Sequence, residues 1–77
     1  MKEKVYKIIS EILEWPLEKI NEDSSPDNIG TWESLNHMKL VLALEEEFGV
    51  HFSDKQIVEM LDARSIIIVI DKLINNK

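Results

Sequence analysis

The chain has 77 residues, 15 acidic side chains against nine basic ones, a formal net charge of −6 and no cysteine. A chain this short makes a single domain, 1–77, around a small core, without disulfides or cysteine-ligated zinc as staples. Its 44% apolar content is too high for a disordered segment, and its acidity argues against a generic nucleic-acid binder, which needs a basic face.

The N-terminus, Met1-Lys2-Glu3-Lys4, leads straight into an amphipathic pattern and not into a signal-peptide apolar stretch. With the lack of cysteine, this favours a cytoplasmic protein. Val5, Ile8, Ile9, Ile12 and Leu13 follow the i, i+3, i+4, i+7, i+8 spacing of a helix with one buried stripe, and Lys2 to Trp15 is predicted helical. Pro16 ends it. Residues 16–32 are rich in Asn, Asp, Ser, Pro and Gly and predict a long loop. A loop of this length needs tethering, and Leu17, Ile20, Ile29 and Trp32 are the candidate anchors. It reads as a surface loop touching the core, in preference to a catalytic lid.

A second helix is predicted from Ser34 to Phe48, stopped by Gly49. Ser53 and Gln56 have capping-box spacing, so a short third helix should run to about Leu61. Ser65 is the expected cap of a last helix ending near Ile74. The run Ile66-Ile67-Ile68-Val69-Ile70 is β-branched, but it lies among helical segments with no partner strand and is read as helix. It is far short of the roughly 18 residues that span a bilayer. The fold class is therefore all-α: a small up-and-down bundle of three long helices plus one short one.

The second helix carries two apolar stripes. At about 100° per residue, Leu40, Val41, Leu44 and Phe48 gather on one side as the core stripe. Leu35, Met38 and Leu42 gather on another, flanked by Glu45 and Glu46. A bundle this small covers one stripe easily and two with difficulty, and charges resist burial. The second stripe is predicted to be an exposed, partner-facing strip with an acidic rim; the plainer alternative is that it packs under the long loop. Ser34 opens this helix. A serine there is ordinarily an N-cap; the alternative is a covalently modified hydroxyl, whose phosphodiester would sit favourably at the positive end of a helix dipole.

Gly30-Thr31-Trp32-Glu33-Ser34-Leu35, followed by Ala43-Leu44-Glu45-Glu46-Glu47-Phe48, resembles the acyl carrier protein family over nearly the whole chain. The resemblance implies that Ser34 bears 4′-phosphopantetheine, delivered from coenzyme A by a magnesium-using phosphopantetheinyl transferase. The arm's thiol would carry acyl intermediates as thioesters in fatty-acid, polyketide or related biosynthesis. The protein would not be an enzyme. It would raise the local concentration of a tethered group and present it to others. Glu33, Leu35, Met38, Lys39, Leu42, Glu45 and Glu46 match the positions that meet partners: the transferase, an acyl ligase or acyltransferase, and synthase enzymes with basic docking patches. Nucleic acid, a membrane span and a bound metal are not expected, and the chain should be a monomer. The family usually has aspartate where Glu33 stands, and fatty-acid carriers commonly have an acid where Lys39 stands. With Trp32, Asn36 and His37, this looks more like a specialised stand-alone carrier than one of bulk fatty-acid synthesis. The reading from a different class is an unmodified acidic helical adaptor docking a basic protein.

His37 and His51 lack metal-ligand spacing and are expected to be structural or solvated. A Ser34–His37 hydrolase pair lacks a third group and an oxyanion-hole signature. The Glu45-Glu46-Glu47 run points in three directions and forms no ordered ion site. Val41, Leu44, Phe48, Ile57, Met60 and Leu61 are the candidate lining of a narrow acyl-sheltering space; each also reads as plain core.

Overall fold

The computed structural model describes residues 1–75. Residues 76 and 77 of the predicted domain lie outside the described residues. Among the described residues, four α-helices form the bundle: α1 (Lys2–Leu13), α2 (Ser34–Phe48), α3 (Asp54–Glu59) and α4 (Ala63–Asn75). A 3₁₀ turn at Leu17–Lys19 interrupts the first loop. No strand occurs among the described residues, so the β-branched run of α4 is helical as expected, with Ile66 and Ile70 fully buried.

α1 packs against both α2 and α4. Val5, Ile9 and Leu13 from α1, Leu40, Val41 and Leu44 from α2, and Ile66 and Ile70 from α4 make the centre of the core. These are the periodic positions of each helix, which is why one stripe per helix suffices to build the bundle.

Element ends differ from the sequence expectation in three places. α1 stops at Leu13 and not at Trp15. Glu14 adopts the left-handed conformation (φ 52°), and the Glu14 and Trp15 amides both donate to the Ser10 carbonyl. The Ser10 hydroxyl then donates to the Trp15 carbonyl at 2.6 Å, fixing the exit. α3 closes at Glu59, two residues early, because Met60 turns into the core. α4 starts at Ala63, and its cap is Asp62 instead of Ser65: the Asp62 carboxylate accepts from the Ser65 amide at 2.7 Å. The Gly49 stop (φ 63°) and the Ser53–Gln56 capping box are both present.

The long loop is part of the fold. Ile20, Ile29 and Trp32 are buried, at 7%, 1% and 3% exposure, whereas Leu17 is 49% exposed. Leu17 fails as an anchor because it sits in the surface 3₁₀ turn, and the chain turns inward only at Ile20. Thr31 ties the loop to α1 by donating to the Leu13 carbonyl at 2.7 Å. At the other end, the Ser24 and Glu22 carbonyls accept from the Ala63 and Arg64 amides at 2.9 and 3.1 Å. Two of the N–H groups that a helix start leaves without intrahelical partners are thus satisfied by the loop.

Glu22 also ion-pairs with Lys2 (3.0 Å) and Arg64 (3.1 Å). Hydrogen bonds from Lys2, then from Arg64, hold its carboxyl below the ordinary 4.5. The Ser65 amide, then the Ser65 hydroxyl, hold Asp62 below the ordinary 3.8. A carboxyl depressed in the folded state stabilises above its unfolded value, and that stabilisation is lost as pH falls through the folded value. The urea midpoint is therefore expected to fall as pH drops below about 4.5. The decline should be shallower in Glu22→Gln with Asp62→Asn. A midpoint that holds steady down to pH 3 contradicts these roles.

Candidate functional site

Three pieces of chain meet at the start of α2: the end of the loop, the first turns of α2, and α3. Glu33, not Ser34, is the N-cap. Its backbone is extended, and its carboxylate accepts from the Asn36 amide at 2.7 Å. The Asn36 side chain reaches back to the Thr31 carbonyl at 2.8 Å. Glutamate is not a favoured cap residue, because its extra methylene must fold back to reach the amide. The consequence for Ser34 is direct: it becomes the first residue of the helix, exposed, with its hydroxyl released from capping.

The chain has six serines. Ser10 donates to Trp15; Ser24, Ser25 and Ser53 accept from the amides of Asn21, Asp27 and Gln56; Ser65 is hydrogen-bonded to Asp62. Of these six serines, Ser34 is the one whose side chain makes no such hydrogen bond within the protein. Beside it opens a pocket of about 440 Å³. Buried Met60 and Trp32 are part of its lining. Ile57 and Val58 of α3, with Leu61 just beyond it, form one side, while Pro26, Glu33 and Ser34 make the rim.

This pocket differs from the expected one. Ile57, Met60 and Leu61 line it as anticipated, but Val41 and Leu44 are sealed in the core at 1% and 0% exposure. Phe48 packs half-buried against the core at the far end of α2. The inner wall comes instead from Trp32 and His37, whose rings stack with centroids 6.2 Å apart. The Trp32 indole N–H donates to His37 Nδ1 at 2.9 Å, and His37 Nε2 lies 3.0 Å from the Ile57 carbonyl. His37 is thus a structural bridge from loop to α2 to α3. The sequence marked Trp32 as a loop anchor and as a departure from fatty-acid carriers, not as a pocket wall; a Trp–His spacing of five residues matches no familiar pattern.

The second apolar stripe of α2 is exposed: Leu35 61%, Met38 45% and Leu42 62%. Val58 of α3 and Leu61 just beyond it, both lining the pocket, are exposed as well, at 71% and 62%. Glu33, Lys39 and Glu46 are exposed along the same helix. Glu45 is placed differently. Its side chain is only 18% exposed, lies 3.2 Å from the well-exposed His51, and accepts from the Phe52 amide at 2.8 Å. It holds the α2–α3 connection over buried Phe52.

Glu45→Lys should therefore cost about 1–3 kcal/mol of stability, because the Phe52 amide loses its acceptor. Glu46→Lys should leave stability within about 0.5 kcal/mol and instead weaken low-salt binding to a basic partner. Urea melts beside titrations at two salt concentrations separate the two; equal stability losses contradict this assignment.

The site thus has an exposed free hydroxyl on the first turn of a 15-residue helix, beside an apolar pocket and an exposed apolar strip. The chain matches the family model described as the phosphopantetheine attachment site over residues 3–68, and it belongs to that family. Within it, the chain is an acyl carrier protein by likeness: 39% identical over 75 residues to the acyl carrier protein of Cyanidium caldarium, covering 96% of this chain and 86% of the relative. It is 42% identical over 57 residues to that of Buchnera aphidicola subsp. Acyrthosiphon pisum (strain Tuc7), covering 73% and 70%. Proteins of this family are carriers and not enzymes, and their prosthetic group is 4′-phosphopantetheine. The residues here fit that group: Ser34 offers an uncommitted nucleophilic oxygen, and the positive end of α2 suits a phosphodiester charge. The group supplies a thiol that carries acyl cargo as a thioester, which a chain without cysteine cannot provide. No described helix is long and apolar enough to cross a membrane.

Proposed function

We propose that Ser34 is the attachment point of the 4′-phosphopantetheine arm, and that Leu35, Met38 and Leu42, with Glu46 and Glu33 at the rim, dock the enzymes that load and unload it. The observation that carries this reading is the release of the Ser34 hydroxyl by Glu33, which takes over the cap. Ser34 Oγ forms a phosphoester with the pantetheine phosphate of coenzyme A, the nucleotide half leaves, and the hydroxyl proton passes to the transferase. The α2 strip lies on the same helix as the arm, so a partner that docks there meets the cargo at high local concentration. Glu33 and Glu46 suit a basic patch, which steers encounter and selects partners more than it adds affinity. Lys39 breaks the acidic rim and disfavours partners that concentrate lysine and arginine opposite it.

Intact mass after incubation with coenzyme A and a broad-specificity phosphopantetheinyl transferase tests the attachment. One phosphopantetheinyl group gained by the wild type and none by Ser34→Ala is the expected result. No gain with several transferases would leave the chain as an unmodified docking module.

A further inference from the structure

A second hollow, of about 410 Å³, opens between α1 and α2. It faces away from Ser34: Ala43, in its lining, lies about 180° around α2 from Ser34 at the helical advance per residue. The two helices run antiparallel there, with Lys4 beside Glu47 at one end and Thr31 bonded to the Leu13 carbonyl at the other. Ile8, Glu11 and Ile12 line the hollow from α1, and Ala43, Glu46 and Glu47 line it from α2. Ala43 is the one small side chain among them and leaves the space. Ile8 and Ile12 pack partly on the core and keep apolar surface in the hollow. Lys4 takes up Glu47 at 3.4 Å. Glu11 and Glu46 are exposed and have no ion-pair partner among the described residues.

We infer that this hollow docks an arginine-bearing helix of a partner protein, the arginine stem lying on Ile8, Ile12 and Ala43 and its guanidinium meeting Glu11 and Glu46. The surface meets the Leu35–Met38–Leu42 strip only at Glu46, and it does not depend on Ser34 carrying an arm. Arginine has the matching chemistry. Its three methylenes cover apolar surface while the charged head stays at the rim. Its planar fork of five donors suits two carboxylates, and it gives up water more readily than an ammonium does. Other occupants fit less well. No three His, Asp or Glu side chains among the described residues are placed to hold a metal ion together, so these acids do not converge on a point charge. A plain hydrocarbon guest would strip water from the carboxylates and return nothing. A second copy brings another net charge of −6, and the chain's one arginine, Arg64, is already paired with Glu22 and Asp23.

The probe is an alanine-based helical peptide of about 20 residues with two arginines one turn apart, and a twin with glutamine at both places. Each is titrated into the isotope-labelled protein and followed by NMR. The arginine peptide is expected to move the signals of Ile8, Ile12 and Ala43 and to leave those of Leu35 and Met38 in place. Its affinity should fall as salt rises from about 0.01 to 0.15 M, and the glutamine twin should bind about tenfold more weakly or worse. Glu11→Lys, at an exposed position outside the strip, should weaken the arginine peptide about tenfold. Ala43→Leu, which fills the hollow without changing charge, should weaken it too, with Tm confirming that each variant is folded. Shifts centred on the strip overturn the inference, as do equal affinities for the two peptides, an affinity untouched by Glu11→Lys, or no binding at low salt. If Ala43→Leu does not fold, Glu11→Lys decides alone. Neither coenzyme A nor a transferase enters the experiment, so its failure leaves the reading of Ser34 intact, and the reverse holds.

Discussion

Trp32→Ala is expected to lower the free energy of unfolding by about 3–5 kcal/mol. A domain of 77 residues has only about 4–12 kcal/mol in total at the usual per-residue stability, so the variant should be partly unfolded in buffer. Trp32 lies in the connection between α1 and α2 and would be dispensable if that connection were a lid. Instead it is 3% exposed, donates to His37 and stacks on its ring. Removing it opens a cavity beside Met60 and strands His37 Nδ1 together. Trp32→Phe should cost less, because most of the buried area survives and only the hydrogen bond is lost. Urea unfolding followed by circular dichroism measures both. A loss under 1 kcal/mol for Trp32→Ala would mean that the loop is not part of the core.

Leu42→Ala should act on binding and leave stability alone. Leu42 is 62% exposed in the middle of α2, so truncating it should change unfolding by no more than about 0.5 kcal/mol. If the strip docks partners, the same change removes a central apolar anchor. Such anchors cost about 2 kcal/mol when truncated, a loss near 30-fold in affinity. Titration of a transferase with wild-type and Leu42→Ala protein gives the ratio. Unchanged affinity, with unchanged folding, would move the docking surface elsewhere.

The helices were legible in the sequence because periodicity reports burial directly. Val5, Ile9 and Leu13, or Leu40 and Leu44, recur at the spacing that one buried face demands, and those faces are buried. The exposure of Leu35, Met38 and Leu42 was legible by the same arithmetic, since one core could not absorb both stripes of α2. Helix ends were less so, because they depend on competition between neighbouring side chains. Glu33 rather than Ser34 caps α2, and Asp62 rather than Ser65 caps α4; in each pair both residues have the chemistry, and only the backbone path decides. Leu17 and Ile20 are both apolar in one loop, yet a single surface turn separates exposed from buried. Long-range pairs were not legible at all. Nothing local joins His37 to Ile57, or Glu45 to Phe52, and these contacts set the pocket wall and the seat of α3.

Peptide mapping of the phosphopantetheinylated protein reaches the central point most directly. Five of the six serines are engaged in hydrogen bonds within the fold, and Ser34 is the exposed exception. Fragmentation of the modified peptides should place a single phosphopantetheinyl group on Ser34 and leave Ser24, Ser25 and Ser53 unmodified. A group found on any other serine, or a chain that stays unmodified with its coenzyme A and transferase demonstrably active, would contradict the role given to Ser34.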